Sequence, residues 1–267
     1  MALVTGSTRG LGLALATGLA RAGARVVLHG RDEQRLARVT AELAEATGTR
    51  VETAGFDVTD AAAVAVGCAE LIERHGVPDV LVNNVGIQRR APFTQFAVGD
   101  WDAAVSANLS SAFHVSRAIT PAMAERGSGK VVDIGSVQSV LARRTIAPHA
   151  ATKGGIVVLT MGMAADLARS GVQVNAISPG YSATEMNAAL VTDEEFSAWV
   201  AERAPAGRPV SGRRPGSRRR RRCRGPRCRR WPWHRPRRPR TRPASRAPRR
   251  ARARRWRSSS APATTRP

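Results

Sequence analysis

The stretch ALVTGSTRGLGLALATGLARAG, residues 2–23, decides the fold. Its first residues, Ala2 to Thr5, form a short apolar run of strand type. Gly6, Gly10 and Gly12 follow, and an apolar helical period then runs as far as Gly23. A strand that enters glycines and then a helix brings bare backbone and a helix N-terminus to one spot, which suits a pyrophosphate. Tight turns need glycine anyway, so the glycines alone say little. Their position between a strand and a helix carries the reading.

The same alternation continues outward. ARVVLHG reads as a second strand, and RDEQRLARVTAELAEATG as a helix with Leu36, Val39, Leu43 and Ala46 on one face and Gly48 as its C-cap. RVETAGFDV, DVLVNN, GKVVDIGS and VQVNAISPG read as further strands. The helices between them are AAAVAVGCAELIERHG, a long stretch through WDAAVSANLSSAFHVSRAITPAMAERG, and ATKGGIVVLTMGMAADLARSG. Strands alternating with helices in this way specify a doubly wound, Rossmann-like parallel α/β sheet in a single domain, with helices on both faces. Thr59 or Asp60 is the expected cap of the third helix. Trp101 and His114 read as helix packing.

The net charge of +23 divides unevenly. Up to Arg208 there are 19 basic against 20 acidic residues, whereas the other 24 basic residues are all arginines beyond it. Residues 1–208 therefore read as a near-neutral domain, and 209–267 as a disordered Arg/Pro-rich tail with no apolar periodicity. MALVTG enters the first motif with no basic leader or long apolar run, so a cytoplasmic location is expected. The three cysteines, Cys68, Cys223 and Cys228, form neither a disulfide framework nor a metal set.

Motifs accumulate in order along residues 2–208. Gly6-x-x-x-Gly10-x-Gly12 comes first, then Asn83-Asn84-Val85-Gly86, Asn108, Ser136, Lys153 and Pro179-Gly180. The chain resembles the short-chain dehydrogenase/reductase family. NNVGIQRRAPFTQF, VQVNAISPGYSATEMNAALV and ERAPAGR look most like its gluconate 5-dehydrogenase (5-keto-gluconate reductase) group.

The resemblance implies a hydroxyl/ketone oxidoreductase using NADP, with NAD as the alternative. Gly6, Ser7, Arg9, Gly10, Gly12, Asn83, Gly86, Pro179, Gly180 and Thr184 would line the cofactor cleft, with Thr184 at the carboxamide side of the nicotinamide. The second strand ends at Gly30, which leaves no acid for a ribose 2′-hydroxyl, so Arg9 and Arg31 are placed for a 2′-phosphate. Asp57 and Val58 fall where an adenine contact is expected. Ser136 would hydrogen-bond the carbonyl, Lys153 would bind the nicotinamide ribose, and Asn108 would hold a relay water. Taken singly, Ser136 is also an ordinary turn cap and Asn108 an ordinary buried helix asparagine. Arg89 and Arg90 would hold the carboxylate of a sugar acid and Gln138 its hydroxyls, although solvated loop arginines fit the sequence equally well.

One residue departs from the pattern. The family's acid is a tyrosine four residues before the lysine, and here that position is His149. A cation nearby favours a phenolate but depresses an imidazolium, so His149 is expected to be neutral and a poor proton donor. Turnover should fall while cofactor binding persists. The only tyrosine, Tyr181, lies in the loop after the sixth strand.

The family would continue after PAGR with another helix and a last strand. Read one base later, Cys223-Arg-Gly-Pro-Arg-Cys228 can encode Ala-Val-Val-Leu-Ala-Ala, and Trp231-Pro232-Trp233 can encode Gly-His-Gly. A shifted reading frame is therefore the expected origin of the tail, with the C-terminal strand and helix missing and the family's homotetramer or dimer impaired. The competing readings are an arm that binds nucleic acid non-specifically, and another reductase of the family such as a 3-oxoacyl carrier-protein reductase.

Overall fold

The structure is a computed structural model that describes residues 1–180 and 194–204. Six strands form one wholly parallel sheet: β1 (Ala2–Val4), β2 (Val26–His29), β3 (Val51–Ala54), β4 (Val80–Asn83), β5 (Gly129–Ile134) and β6 (Val172–Ile177). Their order is β3-β2-β1-β4-β5-β6. The chain winds outward from β1 to β3, returns to the other side of β1, and winds out again. The two halves thus diverge at the carboxyl ends of β1 and β4, where doubly wound sheets place their ligands.

Helices α1 (Gly10–Arg21), α2 (Glu33–Thr47), α3 (Ala61–His75), α4 (Val98–Val105), α5 (Ser111–Glu125), α6 (Ala147–Leu167) and α7 (Glu194–Arg203) flank the strands or follow them. Alternate residues of the central strands β1, β2, β4 and β5 feed two cores. Leu3, Val27, Leu81 and Val131 face one way, with Leu71 of α3 and Ile119 and Met123 of α5. Val4, Leu28, Val82 and Ile134 face the other, with Ala16, Leu36, Val39 and Leu43 of α1 and α2. Burial on both faces is why β1, β2 and β4 read as continuous apolar runs, whereas the edge strand β6 alternates buried and exposed residues.

The sequence-derived caps hold. Asp60 accepts from Ala62 and Ala63 N–H at 2.8 and 3.1 Å, and Gly48 closes α2 with φ 64°. Two expectations fail. Ala46 is exposed, because the last turn of α2 runs past the core. Trp101 is 43% exposed, because α4 is short and lies at the surface. The single helix read from Trp101 onward is interrupted by one π-helical turn, Ser106–Ser110, which carries Asn108. The tail, Tyr181 and Thr184 lie outside the described residues.

Candidate active site

The loop after β1 is held by its neighbours. Gly6 and Gly10 adopt left-handed φ angles of 60° and 56°, which glycine tolerates without strain. A Cβ on Gly12 would lie 2.4 Å from the Gly6 carbonyl, so only glycine lets α1 approach the loop this closely. The Asn84 amide donates to the Thr5 and Gly6 carbonyls at 3.0 and 3.1 Å. Ser7 N–H donates to the His29 carbonyl at 3.0 Å. Arg9 gives α1 no side-chain cap, and no acid lies in its first turn. The helix start therefore keeps its positive end for an anion. These residues fit the diphosphate of a dinucleotide.

At the far end of that cleft two of the expected residues meet. Arg31 and Asp57, given separate tasks above, pair with each other at 2.9 Å. Partial burial works to raise the Asp57 carboxyl, but bonds from Thr59 and the Arg31 charge outweigh it and hold it at about 2. Val58 is buried in the core among residues such as Phe56 and Val64, so its side chain does not face the cleft. A Cβ on Gly30 would fall 2.8 Å from the Thr8 methyl, so an acidic side chain there would have to displace Thr8.

The opposite half of the carboxyl edge holds a dense polar cluster. Asn108 is 1% exposed, and it accepts from Ile87 N–H at 2.7 Å. It donates to the Ile87 carbonyl at 3.1 Å and to Thr152 Oγ1 at 3.0 Å. Both of its amide hydrogens are thus in use, which leaves lone-pair capacity on Oδ1 for a relay water. Lys153 is 5% exposed and donates to the Ile134 carbonyl at 2.6 Å. Burial pushes its ammonium down to about 8, and the Asp133 charge resists that fall. A Cβ on Gly86 would lie 3.3 Å from Asn108 Oδ1 and 3.4 Å from Lys153 Nζ, so the three residues adjoin.

Ser136 caps the short turn that follows β5: its Oγ accepts from Gln138 N–H at 3.1 Å. Ser139 Oγ accepts from Ser136 N–H at 3.2 Å and donates to the Lys153 carbonyl at 2.8 Å. The serine turn and the lysine helix are therefore locked together. The next turn along joins them, since Val137 N–H donates to the Pro179 carbonyl at 3.0 Å, just before Gly180.

His149 lies one turn before Lys153 on α6. Its imidazole is driven down to about 4, first by burial and then by the Lys153 charge, with smaller contributions from Arg143 and Arg90. The expectation of a neutral ring holds, but burial outranks the ammonium as its cause. A hydrogen bond to the Ile87 backbone works in the opposite direction. Nδ1 is buried without a partner among the described residues.

Other expected residues fall differently. Asn83 is 5% exposed and donates to Ser116 Oγ and Asp133 Oδ1, both at 2.8 Å. It points into the core, and its neighbour Asn84 is the residue that contacts the glycine loop. Arg89 pairs with Asp100 of α4 at 3.4 Å, and Arg90 donates to Gln88 at 3.0 Å. Gln138 is 8% exposed. The sequence reading missed Asp133, Thr152 and Arg143. A lone acid inside an apolar strand was the available signal for Asp133.

An α/β sheet with a glycine loop at its switch point, and serine, asparagine and lysine beside that cleft, defines an NAD(P)-dependent oxidoreductase that interconverts a hydroxyl and a ketone. The chain belongs to the short chain dehydrogenase family, whose profile matches residues 1–195. Gluconate 5-dehydrogenase of Gluconobacter oxydans (strain 621H) is 52% identical over 207 residues, covering 78% of this chain and 80% of that protein. The 5-keto-D-gluconate 5-reductase of Escherichia coli (strain K12) is 45% identical over 206 residues, covering 77% and 81%. The crystal structure of a gluconate 5-dehydrogenase from Burkholderia cenocepacia J2315 in complex with NADP and tartrate superposes with a TM-score of 0.77 at 49% identity, covering 79% and 82%. No described helix is long and apolar enough to cross a membrane.

Proposed function

We propose that this chain is an NADP-dependent reductase of the gluconate 5-dehydrogenase type, acting on gluconate and 5-keto-gluconate, and that His149 limits its turnover. The observation that carries the reading is the joined cluster of Gly86, Asn108, Lys153 and the Ser136 turn beside the glycine loop. The 52% identity to the Gluconobacter enzyme supports the substrate class. Arg31, just past the second strand, would reach a 2′-phosphate by exchanging its pairing with Asp57, and Gly30 leaves no acid at the position that would accept from a ribose 2′-hydroxyl.

When bound, NADPH supplies the hydride. Gly6, Gly10 and Gly12 would hold its diphosphate, with the buried Ser7 supporting that loop through its bonds to His29, and Gly86, Pro179 and Gly180 would border the nicotinamide half. Lys153 would bind the ribose through its ammonium, which the Ile134 carbonyl holds in place. Ser136 Oγ–H donates to the substrate carbonyl oxygen while its lone pair takes the Gln138 N–H. Negative charge developing on that oxygen would be stabilised by the Ser136 hydroxyl dipole, with the Lys153 charge close by. A proton must then come from the position of His149. A neutral imidazole with a protonated form near pKa 4 carries almost no acid at pH 7. Loss of a positioned general acid costs about 10²- to 10⁴-fold in rate. Arg90 and Arg143, whose charges reach His149, favour an anionic substrate such as a sugar acid.

Residues 209–267 are read as the product of a shifted frame that binds RNA non-specifically, and residues 1–208 as the catalytic domain. The family's homotetramer or dimer is read as impaired by that tail, which leaves Phe113, Val158 and Met161 exposed on α5 and α6. Activity of His149→Tyr on a ketone panel with NADPH tests the substrate assignment. Preference for 5-keto-gluconate is expected, and a preference for 3-oxoacyl thioesters instead removes it.

A further inference from the structure

The imidazole of His29 lies outside the catalytic cluster and is used by nothing in the mechanism above. It closes β2 at 1% exposure, between two loops that the sheet topology brings side by side. On one side, Gly6 N–H donates to His29 Nδ1 at 3.1 Å. On the other, Nε2 lies 3.0 Å from the Phe56 carbonyl. A backbone N–H can only donate and a carbonyl can only accept. The two contacts together therefore fix one tautomer, with hydrogen on Nε2 and a bare Nδ1. The ring also packs on Phe56, with centroids 4.4 Å apart at 60°. The backbone repeats the connection, since His29 N–H donates to Ser7 Oγ at 2.9 Å.

We propose that His29 is a positioning residue for the dinucleotide, its Nδ1 and Nε2 bracing the phosphate loop at Gly6 against the loop at Phe56–Asp57. The proposal rests on the cofactor reading given above. Gly6 is the residue whose left-handed φ starts the phosphate loop, and Phe56 immediately precedes the acid that pairs with Arg31. An apolar ring of the same size would leave the Gly6 N–H and the Phe56 carbonyl without partners in a dry site, which is costly. Protonation would put a hydrogen on Nδ1 against the Gly6 N–H. Burial separately holds the ring down at about 4, with the Phe56 bond and Asp57 acting upward and Arg31 downward. The charged groups that reach it are therefore Arg31, two residues further along, and Asp57, from the loop after β3.

The test uses the full chain and two variants. In His29→Asn, the amide oxygen sits where Nδ1 does and still accepts from Gly6. In His29→Leu, no acceptor remains. NADP⁺ affinity is measured by calorimetry at pH 7.5, and backbone hydrogen exchange is followed across residues 5–12. His29→Leu should weaken binding at least tenfold and speed exchange in the loop, and His29→Asn should recover most of both. Nitrogen NMR of the unaltered protein should find Nε2 protonated and Nδ1 bare at pH 6, where an ordinary histidine is largely charged. Leucine binding within twofold of histidine, or asparagine no better than leucine, overturns the proposal. If the unaltered protein does not bind NADP⁺ at all, the cofactor reading fails, and unchanged loop exchange in His29→Leu then separately overturns the bracing role. If His29→Leu does not fold, a protonated Nδ1 in the unaltered protein overturns it.

Discussion

Replacing Lys153 with methionine should remove function and stabilise the fold. The ammonium is 5% exposed, and burial lowers it from 10.5 to about 8. Keeping it charged in the folded protein at pH 7 therefore costs about 3 kcal/mol relative to the unfolded chain. Methionine has nearly the same reach and no charge. It loses the bond to the Ile134 carbonyl and leaves that acceptor dry, which returns about 1–2 kcal/mol of the gain. The net expectation is about 1–2 kcal/mol of added stability, or a rise of roughly 3–6 °C in melting temperature. The sign with pH follows from proton counting. Between the folded and unfolded pKa values, near 8 and 10.5, the unfolded chain binds more protons, so the lysine protein gains stability as pH rises. The advantage of methionine should be full below about pH 8 and gone near pH 10.5. Thermal and urea melts of both proteins at pH 7 and pH 10 measure this. A methionine variant less stable at pH 7, or an advantage that does not shrink at pH 10, refutes the reasoning.

The remaining expectations concern other parts of the molecule. The His29 ring, held at about 4, makes the unfolded chain bind the extra proton between about pH 6.5 and 4, so stability should fall by about 3 kcal/mol across that window. His29→Asn should flatten the loss in acid melts. Arg31→Ala should weaken NADPH about tenfold while leaving NADH nearly unchanged, as paired affinity measurements would report, since a 2′-phosphate contact is a charge-assisted bond. Salt-dependent RNA binding should vanish in a chain ending at Arg208, which gel-shift titration at two ionic strengths would check.

The fold was legible because the central strands of the sheet are buried on both faces. Its strands are short apolar runs, its helices are amphipathic, and Asp60 and Gly48 mark boundaries with side-chain and backbone chemistry that sequence alone specifies. The site was legible in part. Gly6, Gly10 and Gly12 must be glycine for local reasons, whether of φ or of close approach. What stayed hidden depends on which way a side chain turns. Asn83 and Asn84 are adjacent, and strand alternation sends one into the core and the other to the glycine loop. Arg31 and Asp57 are far apart in sequence, and their pairing follows from β2 and β3 being neighbours. Asp133 reads as an anomaly in a strand until Asn83, Thr160 and Lys153 are seen around it. Burial raises its carboxyl, and those three neighbours pull it back.

His149 is where the sequence reading and the structure meet. It stands in the proton donor's place, one turn from Lys153, with an imidazole that burial and that lysine keep neutral. The decisive measurement is the single-turnover rate of 5-keto-gluconate reduction by NADPH for His149→Tyr against the histidine protein, made both in the chain as it stands and in one with the frame after Arg208 restored. The account predicts a rate at least about 100-fold higher for tyrosine in the same background, with NADPH affinity changed less than about threefold. A histidine protein that reduces the ketone as fast as its tyrosine variant would contradict it.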